Sequence, residues 1–252
     1  MKLSEATVLV VDDEPALREI FAKWLVAMGC GRVLVAADGL LALGVLKSEL
    51  VDLLVTDVRM PVMDGVTLVR RLTAMEIALP SVVFISGFGD VDKREMYGLG
   101  VEAFVSKPFD RNELLGVLER ALAERTCLWL TPMLLAPRQT MLVKREDAAL
   151  ASVHLGRGGF SVCYDGLLSL SKVAFVCCLP KDGPHSAERE MRGQGYVRWI
   201  SRKDRSVGVE FVYVEEVCRD WVVQEIADIR PMGFIPDSRD TASILIEEHG
   251  AI

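Results

Sequence analysis

Five times within the first 125 residues a short, β-branched apolar run gives way to a stretch whose apolar residues recur at helical spacing. The apolar runs lie at 7–11, 33–36, 53–56, 82–86 and 103–106, and the helical stretches at 15–28, 40–47, 66–74, 91–99 and 111–125. A strand that is apolar throughout has both faces buried, and strands separated by helices are joined by crossovers rather than hairpins. The pattern therefore predicts a doubly wound α/β fold, a five-stranded parallel sheet covered by helices on both faces. Local stop signals agree. Gly29 and Gly31 follow the first helical stretch, Gly100 follows the fourth, and Asp110 stands where it would cap the fifth.

A chain of 252 residues is long enough for two domains, and the texture changes after Arg125. Residues 127–137 are apolar with two prolines and read as a linker. Strand-like runs follow at 148–154, 159–164, 172–179, 191–201 and 207–212, then a helical pattern at 214–229. From Pro231 the periodicity is weak, which predicts a loosely held or partner-dependent tail. The expected division is 1–126, an α/β domain; 127–137, a linker; 138–230, a smaller, mainly β domain; and 231–252, a tail.

The net charge of −7 is spread over both halves, and neither carries the basic surplus that phosphate contacts demand of a nucleic-acid binder, so DNA is not an expected partner. No run of about 18 apolar residues is present, so no membrane insertion is expected. The N-terminal MKLSEATVLVVDDEP meets acidic residues within its apolar stretch and does not read as a secretory signal, so a cytoplasmic location is expected. Six cysteines without a Cys-x-x-Cys pair argue for free thiols rather than a zinc site or a disulfide framework.

In an open parallel sheet, ligands bind beyond the carboxyl ends of the strands, where strand order reverses. Polar residues collect at those ends: Asp12 and Asp13 after the first strand, Asp57 at the third, Ser86 at the fourth, and Lys107 before Pro108 after the fifth. One strand-end Asp alone would be a cap or turn residue. Three carboxylates brought together repel each other unless a cation joins them, and an all-oxygen set keeping several waters suits Mg²⁺. Asp57 is then placed to act as nucleophile towards a phosphoryl group and form an acyl phosphate. Lys107 and the Ser86 hydroxyl would meet the phosphoryl oxygens.

The strings VLVVDDEP, TDVRMPVMDG, FISG and VSKPF resemble the receiver domain of two-component response regulators, over about residues 5–125. The resemblance implies phosphorylation of Asp57 by a histidine kinase or phosphotransfer protein. It implies a Mg²⁺ site of Asp13, Asp57 and the Arg59 backbone carbonyl, with Asp12 helping mainly through water. Ser86 matches the switch hydroxyl. Phe104 matches the switch aromatic, with plain core packing as the other reading. Phe88 and Arg59 fall where receivers tune the lifetime of the phosphoryl group.

In the second half, VHLGRGGFSV, then GQGYVRWISRKDRSVGVEFV, then a helix, are similar to the PilZ domain, a small β-barrel that typically binds cyclic di-GMP. The ligand motif departs from the family pattern. In the turn from His154 to Gly159, His154 replaces an acid or amide and Gly156 replaces a serine. Arg138 fits the first arginine of the family's arm, but Leu142 stands four residues later, where the second is expected. Arg145 and Arg157 are the remaining candidate contacts. Losing several charged or buried hydrogen bonds weakens such binding by orders of magnitude. The combined expectation is a non-enzymatic response regulator whose PilZ-like output binds a protein partner or a second copy as a homodimer. Cyclic di-GMP sensing is the alternative and transcriptional regulation a further one.

Overall fold

In a computed structural model of the chain, the described residues are 1–75, 79–87, 91–123, 129–135, 137–143, 153–164, 166–179, 189–228 and 233–236, the last two before 229 by backbone alone. Their contacts divide the chain into two compact units: Met1–Asp92 with Leu99–Glu124, and Lys93–Gly98 with Arg125–Ile252.

The first unit carries the five expected strands, β1 (Thr7–Val11), β2 (Arg32–Ala36), β3 (Leu53–Asp57), β4 (Ser81–Ser86) and β5 (Val101–Ser106). All pair in parallel, in the order β2-β1-β3-β4-β5. The helices are α1 (Pro15–Ala27), α2 (Gly39–Ser48), α3 (Gly65–Ala74) and α5 (Arg111–Leu122); α4 (Lys93–Gly98), between β4 and β5 in sequence, groups with the second unit. Proline opens α1, where a missing N–H costs nothing. Asp38, Asp64 and Asp110 cap α2, α3 and α5 by accepting from backbone N–H groups of the first turn. Gly29 and Gly100 take positive φ, as expected of residues that end a helix. β1 and β3 supply Val8, Val10, Leu53 and Val55 to a core completed by Phe21 and Leu25 of α1 and Leu114 and Leu118 of α5. Strand order reverses between β1 and β3, and that crevice locates the site.

The second unit is mainly β. Its sheet runs β6 (Gln139–Val143), β9 (Lys172–Leu179), β10 (Arg189–Ser201), β11 (Ser206–Val214), β8 (Gly159–Cys163) and β7 (His154–Leu155). The pairings are antiparallel except β6 with β9. Val143 from one end strand and Leu155 from the other join a single core with Phe160, Phe175 and Phe211, so the sheet curls around it. The three rings and Trp129 pack with centroids 5.0–5.7 Å apart. Helix α6 (Glu216–Asp228) follows the last strand and adds Cys218 and Val222.

Four of the expected strands of this half are present with their ends moved by up to two residues, whereas most of the run expected at 148–154 lies outside the described residues. Strand β6 was not expected as such. Residues 233–236 depart from the expectation of a loose tail. Phe234 and Ile235 are buried, the backbone N–H of Arg157 donates to the Gly233 carbonyl at 3.2 Å, and that of Gly158 donates to the Phe234 carbonyl at 2.9 Å. Two apolar side chains and a ladder of backbone bonds hold this segment where its sequence shows no periodicity.

Candidate functional site

Beyond the carboxyl ends of β1, β3, β4 and β5, the first unit assembles the polar residues that the sequence pattern singles out. Asp12 follows β1 and is 1% exposed; Asp13 beside it is exposed; Asp57 ends β3 and is half-buried. Their carboxylates lie within 4.8 Å of one another, near enough to share one cation. Lys107, just after β5, donates to Asp57 Oδ2 at 2.5 Å and to Asp12 Oδ2 at 3.4 Å. The Lys107 backbone N–H donates to the Ser86 carbonyl at 2.8 Å, which ties the end of β4 to the lysine. Ser86 is buried.

Fixed backbone contacts hold Asp57. The Arg59 N–H donates to its Oδ1 at 3.1 Å, and the Thr56 hydroxyl donates to its backbone carbonyl at 3.0 Å. Gly65, the first residue of α3, packs against the same carbonyl: a Cβ there would fall 2.3 Å from that oxygen. The β3–α3 connection can approach Asp57 this closely only with glycine at 65. Asp12 is fixed in turn by the Glu14 N–H on Oδ1 at 2.9 Å and by Arg18 on its backbone carbonyl at 2.5 Å.

The electrostatics follow from this crowding. Burial is the largest influence on Asp12 and pushes its carboxyl up; the charge of Asp57 adds to the rise, against the Glu14 N–H and Lys107. Burial pulls the Lys107 ammonium down, but the hydrogen bond and charge of Asp57, with Asp12 behind it, outweigh burial and leave it raised. Lys107 therefore stays cationic beside two carboxylates. Three acidic side chains whose oxygens come this close fit a hard divalent ion. The chemistry this geometry permits is attack by a fixed, partly buried carboxylate on a phosphoryl group.

Phe104 lies on β5, half-buried, with its ring edge-on to Phe84 at 5.9 Å between centroids. Phe88 lies outside the described residues. Arg18 and Thr56 were not singled out from the sequence. Both act on backbone carbonyls, and their residue types give no sign of such a bond.

His154 opens β7 and pairs with Ser161 on β8; Arg157 is half-buried in the turn at 156–159; Gly159 opens β8, where a Cβ would fall 2.0 Å from the Val209 carbonyl. Arg138 is exposed next to β6. Arg145 lies outside the described residues. Among the described residues, no helix is long and apolar enough to cross a membrane.

The profile of the response regulator receiver domain matches residues 8–119. The transcriptional regulatory protein FixJ of Rhizobium meliloti is 34% identical over 169 residues, 65% of this chain and 81% of that protein. Response regulator GtcR of Aneurinibacillus migulanus is 35% identical over 116 residues, 46% of this chain and 47% of that protein. Response regulator Rre1 of a Synechocystis strain is 36% identical over 122 residues. The chain spans about half the length of these last two relatives, at 47% and 52%. Among solved structures, the FixJ N-terminal domain is 34% identical and covers 46% of this chain and 93% of its own, at a TM-score of 0.43. With its parallel five-stranded sheet, its acidic crevice, the receiver-domain match at 8–119 and the match to FixJ over 81% of that protein, the chain belongs to the response regulator family, through a receiver domain.

Proposed function

We propose that the chain is a phosphorylation-driven switch in which Asp57 accepts a phosphoryl group from a phosphohistidine of a histidine kinase or phosphotransfer protein. The observation that carries this reading is the placement of Asp57, held by the Arg59 N–H and Lys107 within 4.8 Å of Asp12 and Asp13. An Asp57 carboxylate oxygen attacks phosphorus, the P–N bond breaks, and its electron pair leaves with the imidazole. Asp12, Asp13, Asp57 and the Arg59 carbonyl would hold Mg²⁺, which neutralises charge on the phosphoryl oxygens. Lys107 would move from Asp57 to a phosphoryl oxygen, and Ser86 would donate to another.

The test is incubation with a small phosphoryl donor and Mg²⁺, read by intact mass. The parent should gain one phosphoryl group and Asp57→Asn none. Equal labelling of the variant would refute Asp57 as acceptor.

The second unit supplies a binding output, and the chain is not an enzyme beyond its own phosphotransfer. A PilZ-like identity is supported by the curled six-stranded sheet, the glycine turn at 156–159 and the helix after the last strand. Of the binding outputs, capture of a protein partner or self-association is preferred, because Gly156 and His154 stand where that family places ligand-binding side chains and Leu142 stands where it places the second arginine of its arm. Calorimetry with cyclic di-GMP separates the alternatives: micromolar binding would make the chain a nucleotide sensor, and no heat leaves protein binding. FixJ is by name a transcriptional regulator. A mobility shift with DNA would bring that function to this chain, against its acidic balance.

A further inference from the structure

The glycine turn at 156–159 already holds a ligand, and the ligand is residues 233–236 of the same chain. Both belong to the second unit, as does α4, which completes the site. The turn closes on itself through the Gly156 N–H, which donates to the Gly159 carbonyl at 2.8 Å. Its next two N–H groups, of Arg157 and Gly158, bind two successive carbonyls of the segment, those of Gly233 and Phe234. Consecutive N–H groups of a turn aimed the same way make a concave site for acceptor oxygens.

Each residue of the segment meets a matching surface. A Cβ on Gly158 would fall 2.0 Å from the Phe234 ring, and Tyr97 stacks on that ring with centroids 6.0 Å apart. The Tyr97 carbonyl accepts from the Phe234 N–H at 2.8 Å. A Cβ on Gly156 would fall 2.5 Å from Pro236 Cδ. A Cβ on Gly233 would fall 2.3 Å from the Gly98 carbonyl oxygen, so the first position of the segment must itself be glycine. Ile235 is fully buried. Gly156 and Gly158 both lie outside the left-handed backbone region. The turn's own backbone therefore does not call for glycine at either place; the occupying segment does.

We propose that the turn at 156–159, with Tyr97 beside it, is a binding site for an extended peptide of the pattern Gly-aromatic-apolar-Pro, held closed by the chain's own copy of that pattern, and that a protein partner presenting the same chemistry enters by displacing it. This names the partner class for the protein-capture reading of the second unit and rests on that reading. Backbone bonds supply the hold and a ring set among small residues supplies the selection, as in other sites that take extended peptides. Residues 233–236 carry no charge, so the site selects on shape and backbone rather than on ion pairs. Residues 229–232 tether the segment to α6, and so short a tether gives an effective concentration on the order of a millimolar. The tethered copy therefore outcompetes a loose peptide, and a partner needs further contacts of its own to open the site.

The test titrates the full chain carrying Phe234→Ala with a capped synthetic peptide of residues 231–237 whose phenylalanine is fluorinated, binding being read from the fluorine line. The variant should bind the peptide roughly tenfold or more tighter than the parent does, because the tethered ring no longer competes. Unlabelled peptides with Phe234→Ala or Gly233→Ala should fail to displace it, and adding Gly158→Ala to the variant should abolish binding. Equal binding to parent and variant, no binding to the variant, or binding that survives Gly158→Ala would overturn the peptide site. Amide exchange in the parent supplies a measure that needs no variant. The Gly158 N–H should exchange by local release of the segment, roughly a hundredfold or more faster than the slowest amides of β10. Exchange in step with those amides would mean that the segment leaves only on global unfolding, and would overturn displacement. A failure of the protein-capture reading shows separately, as micromolar cyclic di-GMP binding in the parent.

Discussion

Asp12 shows most clearly what the receiver pocket costs the folded protein. Its carboxyl is buried beside Asp57, and Lys107 compensates it from 3.4 Å. A carboxyl raised above its ordinary 3.8 binds its proton more tightly in the folded state than in the unfolded one. The penalty is absent well below that pH and grows as the pH rises past it. Asp12→Asn is therefore expected to raise the melting temperature of the first unit in Mg²⁺-free neutral buffer, by on the order of 2–4 °C. The gain should fade as the pH falls towards 3.8. A lower melting temperature in the variant would mean that Asp12 gains more from Lys107 than it loses by burial. Asp12, Asp13, Asp57, Ser86 and Lys107 were all legible in the sequence because each is a polar residue at the end of an apolar run. Arg18 and Thr56 were not legible, because their bonds to the carbonyls of Asp12 and Asp57 depend on backbone placement.

At the level of elements, the β3–α3 connection carries the strain of the first unit. Val62 has φ of 67°, and the Met63 N–H donates to the Pro61 carbonyl at 2.7 Å, closing a tight turn around it. A β-branched residue pays for that backbone region, and Val62 is mostly exposed, so little packing repays it. Val62→Gly should stabilise the chain by about 1 kcal/mol in denaturant unfolding, net of the added freedom of the unfolded chain. A loss of stability would show that the valine side chain holds the turn. Strands β1, β3 and β4 were legible because both of their faces are buried, whereas β2, at the sheet edge with Arg32 and Val35 exposed, was legible by its apolar run alone. Strand β6 was not, because its alternate residues Thr140 and Leu142 are exposed and two prolines precede it. Its place is settled by parallel pairing with β9, more than 30 residues away, which no local pattern announces. The grouping of α4 with the second unit is likewise invisible locally, since Arg94 and Tyr97 carry no mark of Asp204 or Phe234 as partners.

On the scale of the whole molecule, the core around Val8, Leu53 and Phe21 in the first unit and the core around Phe160, Phe175 and Phe211 in the second have no residue in common. Each should unfold as its own cooperative unit, giving two calorimetric transitions. Phe175 is fully buried and packs against Phe160 and Phe211. Phe175→Ala should destabilise the second transition by about 3–5 kcal/mol and leave the first in place. Displacement of both transitions together would show that the cores melt as one. The same scale governs where the chain can be cut. A boundary drawn after residue 230 looks natural from composition, yet it would discard the segment that receives the N–H groups of Arg157 and Gly158, along with the Phe234 ring that fills the space Gly158 leaves open. A gene fragment ending there would encode a turn with two orphaned donors and an empty seat. Fusions and truncations of this protein should therefore keep the chain through Pro236, and a recombination event that spliced a new output onto residue 230 would have to supply its own plug.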